Sequence, residues 1–297
     1  MNRIIVRIKG GLGNQLFCYA AARRLALANN VELVIDDVTG FVRDRQYDRK
    51  FALDYFNIPI RKATPAERME PCERYRRGVM KWLSRKKPFA KRSYLEQEGN
   101  DFDDRLLALQ VKGTLYLDGY WQSEGYFKDV EKTIRKDLQI TPPTDVPTQR
   151  MADEIRNCLA VALHVRWFDA PDSKSIHNAS LDYYRRAIAL IDERLKSPRY
   201  FLFSDDPEAS RAKLALLEGR VTCVNNNRDD GNAYADLWLM TQCRHFIIAN
   251  STFSWWGAWL AAHANKHVIA PGFEVIGSRR ITSWGFKGLL PKSWIKI

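Results

Sequence analysis

Residues 159–171, LAVALHVRWFDAP, predict a buried strand that ends in polar side chains. Its first five residues are small or apolar, so both faces of the strand are apolar, as in the centre of a parallel sheet. His164 and Arg166 are two residues apart and therefore share one face at the carboxyl end, the edge where ligands bind in open α/β sheets. The guanidinium of Arg166 suits a phosphate group, unless the nearby carboxylate of Asp169 neutralises it.

Strands and helices alternate on the carboxyl side of this stretch. A helix is predicted over 181–196, with Ser180 as its N-cap. Further strands are predicted at 200–203, 221–224, 245–249 and 267–271, and further helices up to Leu217, around 233–243 and from Asn250 onward. This alternation is typical of a doubly wound parallel sheet.

The first 36 residues predict a strand, a helix and a second strand, RIIVRI (3–8), QLFCYAAARRLALAN (15–29) and VELVID (31–36). A unit of this length implies a right-handed parallel crossover. Residues 40–110 are interpreted as inserted helices and loops. A strand begins TLYLDGYWQSEGYF (114–127), and a helix follows to Leu138.

The segment TPPTDVPT (141–148) separates the two alternating halves, and its three prolines argue against a regular helix there. We interpret it as a linker between an N-terminal domain, residues 1–145, and a C-terminal domain, residues 146–297. The predicted fold class is α/β, with two doubly wound Rossmann-type domains facing a cleft.

The segment GGLGNQLF (10–17) lies at the first turn from strand to helix. Gly10, Gly11 and Gly13 allow a tight bend, and the amides that begin the helix can bind an anion. The segment is neither the dinucleotide fingerprint nor a Walker A loop. A purely structural turn is the alternative; Asn14 and Gln15 at the helix entrance favour a ligand site.

Two later stretches place polar groups after strands. In FLFSDDP, Asp205 and Asp206 could hold hydroxyl groups or a metal, but their spacing before Pro207 favours a helix cap. In ANSTFSWWGAWLA, hydroxyl groups and helix-terminal amides form a second predicted anion site. Its polar residues are Asn250, Ser251, Thr252 and Ser254. Its tryptophans, Trp255, Trp256 and Trp259, are expected in the core rather than under a sugar ring.

Composition excludes several classes of protein. No run of 18 apolar residues predicts a transmembrane helix, and the first residues do not resemble a secretory signal, so a cytoplasmic location is expected. Five scattered cysteines give neither a disulfide framework nor a zinc-binding pattern. We therefore expect reduced thiols and no metal site.

Positive charge is concentrated in residues 61–92, which hold twelve Lys and Arg against three Glu, or +9 of the net charge of +12. Such a segment attracts anions. Three interpretations remain open: a solvated helical face, peripheral contact with the inner face of an anionic membrane, and nucleic-acid binding. No nucleic-acid-binding motif is present, so nucleic acid is not expected as a partner.

Taken in order, GGLGNQLF, His164-x-Arg166-x-x-Asp169, FSDD and NSTFSWW resemble glycosyltransferase family 11 from Ile4 to about Pro271, weakly between 40 and 110. The resemblance implies a GT-B fold and an inverting, metal-independent α-1,2-fucosyltransferase. The implied donor is GDP-fucose, bound by the C-terminal domain. The implied acceptor is a galactose-terminated oligosaccharide or lipid-linked glycan, as in O-antigen synthesis, met on the side of the N-terminal domain.

The resemblance also implies roles for individual residues. Arg166 resembles the arginine that holds the donor β-phosphate, and His164 the histidine beside the nucleoside. Asp236 resembles the carboxylate that pairs with guanine. The implied diphosphate-binding turn is Ser251, Thr252 and Phe253, and Asn14 of the glycine loop faces the reaction centre.

Asp169 is the nearest candidate for a catalytic base, and Gly11, Gly13, Asp205 and Asn250 are further candidate substrate-binding residues. The family commonly has Arg-Gly where this chain has Trp167 and Phe168, which puts a second cationic role and the usual acceptor in doubt. Two alternatives stay open: a transferase for another GDP-sugar or linkage, and a basic protein that binds nucleic acid or a membrane surface.

Overall fold

The computed structural model describes residues 2–45, 47–59, 61–168, 177–215, 219–224, 232–272 and 284–297. The chain divides into two compact units. Unit 1 comprises Met1–Gln139 and Phe286–Leu289, and unit 2 comprises Ile140–Gly285 and Leu290–Ile297. No helix in the described ranges is both long and apolar enough to cross a bilayer.

Unit 1 is built on a four-stranded parallel sheet with strand order β2-β1-β4-β3. The strands are β1 (Arg3–Arg7), β2 (Glu32–Asp36), β3 (Tyr94–Glu96) and β4 (Thr114–Asp118), and the helices are α1 (Leu12–Asn29), α2 (Glu73–Arg85) and α3 (Glu131–Asp137). The parallel pairing of β1 and β2, connected by α1, confirms that this crossover is parallel. Strand β3 was not predicted, because three residues are too short to show an alternating pattern.

Unit 2 contains a six-stranded parallel sheet with strand order β10-β9-β8-β5-β6-β7. Its strands are β5 (Ala160–Val165), β6 (Arg199–Ser204), β7 (Val221–Cys223), β8 (His245–Ile247), β9 (Val268–Ala270) and β10 (Ile295–Lys296). Its helices are α4 (Val146–Arg156), α5 (Leu181–Arg194), α6 (Pro207–Leu214), α7 (Ala233–Gln242) and α8 (Thr252–Leu260). The two-residue strand β10 adds an edge that the sequence did not predict.

Strand β5 is buried along its whole length, as its two apolar faces predict. Helix α5 begins where expected, with the Ser180 side chain accepting a hydrogen bond from the Tyr183 amide. Helix α6 is shorter than predicted: it ends at Leu214, and Ala215 takes a left-handed conformation with φ of 48°.

The proline-rich segment requires a correction. Helix α4 starts at Val146, inside the predicted linker, and Pro147 lies in its first turn. The Asp145 side chain caps this helix by accepting a hydrogen bond from the Thr148 amide. Proline is tolerated there because first-turn amides have no partner within the helix. Pro147 therefore helps to start a helix that it was expected to exclude.

Candidate functional site

The strand order of unit 2 reverses at β5. From β5 the chain adds β6 and β7 on one side, and then β8, β9 and β10 on the other. Ligands of doubly wound sheets bind beyond the carboxyl ends of the strands at such a reversal. Arg166 follows β5, Asp205 follows β6, and Asn250 follows β8. The topology thus brings three of the predicted site residues to one edge of the sheet, which we call the switch-point edge.

Arg166 forms an ion pair with Asp205. Its Nη1 lies 3.2 Å from Asp205 Oδ2. The second carboxylate oxygen of Asp205 accepts a hydrogen bond from the Trp167 amide at 3.1 Å. The Arg166 side chain remains 37% exposed, so guanidinium donors stay available to an anion. Asp169 lies outside the described residues.

His164 is a neutral imidazole beside this guanidinium. It is 6% exposed, and its ring centroid lies 5.7 Å from that of Phe253 in the first turn of α8. Burial, reinforced by the positive charge of Arg166, lowers the pKa of His164 to about 3. Its Nδ1 is buried and has no hydrogen-bond partner among the described residues. The ring can therefore contact a ligand as a neutral group but adds no positive charge.

We predict that His164 makes unit 2 less stable in acid. The unfolded chain binds a proton at this residue below about pH 6.5, whereas the folded chain does so only near pH 3. Above pH 6.5 the neutral His164 therefore does not lower the free energy of unfolding. Below pH 6.5 that free energy decreases as the pH falls, because only the unfolded chain takes up the proton. The decrease amounts to about 2 kcal/mol between pH 8 and pH 5.

Urea denaturation of the wild type and of His164→Gln at both pH values measures this effect. The variant should lose about 2 kcal/mol less on acidification, whatever its absolute stability. Equal acid sensitivity of wild type and His164→Gln would refute the prediction.

Asn250 adds a second unpartnered polar atom to the switch-point edge. Its Nδ2 donates to the His177 carbonyl oxygen at 2.8 Å, which fixes the amide group. Its Oδ1 is buried and lacks a hydrogen-bond partner within the described ranges. Buried polar atoms are usually satisfied, so two such atoms on adjacent strands indicate a place where a ligand supplies the partners. Ligand hydroxyl groups would suit the Asn250 oxygen.

Helix α8 begins immediately after Asn250. Ser251 is its N-cap, and the Ser251 hydroxyl oxygen accepts a hydrogen bond from the Phe253 amide at 3.3 Å. Ser251, Thr252 and Phe253 are all partly exposed. The predicted anion-binding turn is therefore accessible, and it follows β8, the neighbour of the strand β5 that precedes Arg166.

Asp236 is placed on a different kind of element. It lies half-buried in the first turn of α7, not at a strand end. Helix α7 packs against α8, with Met240 on Gly257 so closely that an added Cβ at Gly257 would lie 2.2 Å from Met240 Sδ. The structure thus connects Asp236 to the switch-point edge through the packing of two helices.

Two pairs of adjacent residues, Asp205–Asp206 and Trp167–Phe168, each contain members with different roles. Asp206 caps α6 by accepting from the Ala209 amide, as the spacing favoured, whereas Asp205 holds Arg166. Trp167 Nε1 donates to Ser210 Oγ at 2.9 Å, so that residue anchors the loop. Phe168 is 46% exposed, and Arg166 Cζ lies 5.7 Å from its ring centroid. Phe168 is therefore the member of its pair that is open to a ligand.

In unit 1, the glycine loop needs glycine at one of its three positions. Gly10 has φ of 76°, a conformation that other residues rarely adopt. Gly11 is the extended N-cap of α1 with φ of −67°, and Gly13 lies within the helix, so the prediction that all three permit the bend is wrong. Asn14 accepts a hydrogen bond from Gln122 Nε2 at 2.7 Å.

Gln15 also has a structural task. Its side chain is buried, donates to the carbonyl oxygens of Gly10 and Lys50, and accepts from the Ala52 amide. These three bonds hold the loop at residues 50–52 against the turn. Gln15 therefore does not support a ligand site there.

Sequence reasoning missed a polar cluster at the carboxyl ends of β1 and β4. Asp118 is buried and contacts Lys9 Nζ at 2.6 Å, Arg7 Nη1 at 3.3 Å and the Tyr94 hydroxyl at 2.7 Å. Burial alone would raise its pKa, but Lys9 and Arg7 hold the pKa of Asp118 down to about 2. The signal was available, because Lys9 and Asp118 each follow or end a predicted strand.

No group of three His, Cys, Asp or Glu residues within the described part of the chain could hold a metal ion. All five cysteines are free thiols.

Comparisons with known proteins show which family the chain belongs to. Residues 74–276 match the model of glycosyl transferase family 11. The chain is 28% identical over 314 residues to an α-1,2-colitosyltransferase of Escherichia coli, covering 100% of this chain and 99% of that protein. It is 29% identical over 308 residues to the O-antigen biosynthesis glycosyltransferase WbnK of Escherichia coli, covering 98% and 99%.

Among solved structures, the α-1,6-fucosyltransferase NodZ from Bradyrhizobium, soaked with GDP-fucose, is similar in fold. The TM-score is 0.52 at 14% sequence identity, over 87% of this chain and 92% of that chain. This likeness and the two parallel-sheet units confirm the predicted GT-B-like fold class. The family model matches more than half of the residues of this chain, so the chain belongs to glycosyl transferase family 11.

Proposed function

We propose that this chain is an inverting, metal-independent glycosyltransferase that moves L-fucose from GDP-β-L-fucose to the 2-hydroxyl of a terminal β-galactoside. The observation that carries the proposal is the switch-point edge of unit 2. There the partly exposed Arg166 guanidinium follows β5 and pairs with the carboxylate of Asp205. Two buried polar atoms without a partner in the described part of the chain, His164 Nδ1 and Asn250 Oδ1, lie on β5 and shortly after β8. Such an edge suits an anionic ligand that also carries hydroxyl groups.

Similarity to other proteins supports the choice of a nucleotide-sugar donor. The fold is shared with a fucosyltransferase soaked with GDP-fucose, and a relative is named for O-antigen biosynthesis. We assign the nucleotide to unit 2, with Arg166 on the β-phosphate and His164 beside the nucleoside. Ser251, Thr252 and Phe253 hold the diphosphate, and Asp236 pairs with guanine.

The acceptor is assigned to unit 1, on the side of Gly11, Gly13 and Asn14. A galactose-terminated oligosaccharide or a lipid-linked glycan fits this proposal. A lipid-linked acceptor would be met at a membrane surface, so the proposal includes a cytoplasmic enzyme in peripheral contact with an anionic membrane through residues 61–92.

The chemistry follows from the charges that develop during transfer. The acceptor oxygen forms a bond to C1 of fucose while the bond from C1 to the phosphate oxygen breaks, and the electron pair leaves with GDP. Attack from the opposite face converts the β-linked donor into an α-linked product. Arg166 and the amides of α8 stabilise the negative charge that grows on the diphosphate. The acceptor hydroxyl loses its proton to a base, for which we propose Asp169.

We predict that transfer survives removal of divalent metal ions. A guanidinium and helix-terminal amides together offer the diphosphate the charge stabilisation that a metal would otherwise provide. Initial rates measured before and after dialysis against EDTA should agree. A loss of activity that added Mn²⁺ restores would show that the leaving group depends on a metal.

The proposed reaction is tested by incubating the chain with GDP-fucose and a panel of β-galactosides, with products identified by mass and NMR. An α-1,2-linked fucosyl galactoside is the expected product. The second candidate is another GDP-sugar, favoured by the relative that is named a colitosyltransferase. Colitose lacks the 3-hydroxyl of fucose, so GDP-colitose belongs in the same assay. A preference of more than tenfold for it in kcat/KM would replace fucose in the proposal.

A further inference from the structure

The polar face of helix α2 points toward the sheet of unit 1. Arg77 lies 3.8 Å from the buried carboxylate of Asp36, and Lys81 pairs with Glu96 of β3. Ser84 is the one buried residue of the helix, and its hydroxyl oxygen accepts a hydrogen bond from the Tyr94 amide at 3.0 Å. Ion pairs and a hydrogen bond therefore attach α2 to the sheet, and Met80 is the half-buried apolar residue of the helix.

The opposite side of α2 carries four exposed apolar side chains. Tyr75, Val79, Trp82 and Leu83 are 75%, 39%, 58% and 47% exposed. They lie at i, i+4, i+7 and i+8, which is the spacing of a single helix face. A surface helix normally buries such a stripe, and a contiguous exposed apolar patch marks an interaction site. We call these four residues the outer face of α2.

Unpaired positive charge surrounds the outer face. Seven of the twelve Lys and Arg of residues 61–92 form ion pairs: Arg61, Lys62, Arg68, Arg77, Lys81, Arg85 and Arg92. The remaining five form no ion pair within the described part of the chain: Arg74, Arg76, Lys86, Lys87 and Lys91. All five are exposed, and Lys86 Nζ lies 3.5 Å from the centroid of the Trp82 ring. Lys86 therefore lies against the outer face, and Arg74 and Arg76 belong to the same helix, where Arg76 Nη1 also donates to the carbonyl oxygens of Met69 and Glu70.

We propose that the outer face of α2 docks on the surface of an anionic lipid bilayer. The aromatic and aliphatic side chains enter the interface between head groups and acyl chains, and the cations contact lipid phosphates. The mixture of apolar and cationic side chains favours lipid over the other occupants. Tyr75 and Trp82 could stack on nucleic-acid bases, but Val79 and Leu83 could not, so a nucleic acid would leave half of the apolar stripe without a matching partner. A second copy of the chain would bring two sets of free cations together.

Co-sedimentation with vesicles tests the proposal without reference to the sugar that is transferred. The wild type should bind vesicles of phosphatidylcholine with about a third of phosphatidylglycerol, and phosphatidylcholine alone weakly. The triple variant Arg74→Gln, Lys86→Gln, Lys87→Gln should lower the partition coefficient for anionic vesicles about a hundredfold. The double variant Val79→Gln, Leu83→Gln should lower it about tenfold or more.

The control variants remove the same number of positive charges, or the same number of apolar side chains, at positions outside α2. Lys112, Lys132 and Lys196 are exposed and unpaired with described residues, and their joint change to Gln should leave vesicle binding within about threefold. Val42 and Val146 are 64% and 60% exposed, and their joint change to Gln should do the same. Melting temperatures verify that every variant folds.

Three results would overturn the proposal. The first is equal binding of the wild type to neutral and anionic vesicles. The second is an equal loss of binding in the control and α2 triple variants, which would show a response to net charge alone. The third is a wild type that does not bind vesicles but either binds a generic RNA tightly or forms a dimer. The dimer would count against the proposal if the double variant Val79→Gln, Leu83→Gln dissociates it.

Discussion

Arg166→Ala is expected to lower kcat for glycosyl transfer by on the order of a hundredfold or more, because it removes one preorganised charge from the departing diphosphate. Arg166 is the cation that the structure places at the end of β5, at the reversal of strand order, with Asp205 fixing its direction. Arg166→Lys should recover part of the rate, since it keeps the charge but not the planar pair of donors. Initial rates at saturating donor and acceptor measure the effect.

The fold should survive this change, since the Arg166 side chain is 37% exposed and its ion pair with Asp205 contributes little to stability. Arg150→Ala is a suitable control, because Arg150 is an exposed arginine on α4 and forms no ion pair with a described residue. It should transfer at the rate of the wild type. A folded Arg166→Ala enzyme with near-normal turnover would remove Arg166 from the chemistry.

Trp255→Ala is expected to cost about 3–5 kcal/mol of the free energy of unfolding. Trp255 is fully buried, and its ring centroid lies 5.0 Å from Trp256, 6.2 Å from Trp259 and 5.4 Å from Trp294. Removing the indole leaves a cavity among three other aromatic rings, which cannot collapse fully. Urea denaturation followed by circular dichroism measures the loss.

The matched control is Trp82→Ala, which removes the same side chain from the outer face of α2, where it is 58% exposed. That variant should lie within about 0.5 kcal/mol of the wild type. Equal stability of Trp255→Ala and Trp82→Ala would contradict the assignment of the NSTFSWW tryptophans to the core, which the structure confirms for Trp255, Trp256 and Trp259.

Local signals were enough to predict much of unit 2. The apolar run of β5, the Ser180 cap and the Asp206 cap depend on residues close together in the chain, and the structure confirms all three. Strands β3 and β10 have three and two residues, so they show no periodicity. They form because neighbouring strands β4 and β9 offer unpaired edges, which is information that no local window contains.

Partners distant in sequence could not be predicted. Asp205, 39 residues from Arg166 in the chain, pairs with it because β5 and β6 are neighbours in register. The sequence offered only the nearby Asp169, which lies outside the described residues. The same limit applies to α2. Its periodicity shows that it has an apolar face, but only the ion pairs to Asp36 and Glu96 show that this face points outward.

The most direct test of the switch-point edge is a calorimetric titration of the chain with GDP, in the wild type and in Arg166→Ala. We predict that the wild type binds GDP and that Arg166→Ala raises Kd about thirtyfold, as the loss of a charge-assisted contact to phosphate requires. Arg150→Ala should bind as the wild type does. Equal Kd values for the wild type and Arg166→Ala, or no binding of GDP by the folded wild type, would contradict a donor site at the end of β5.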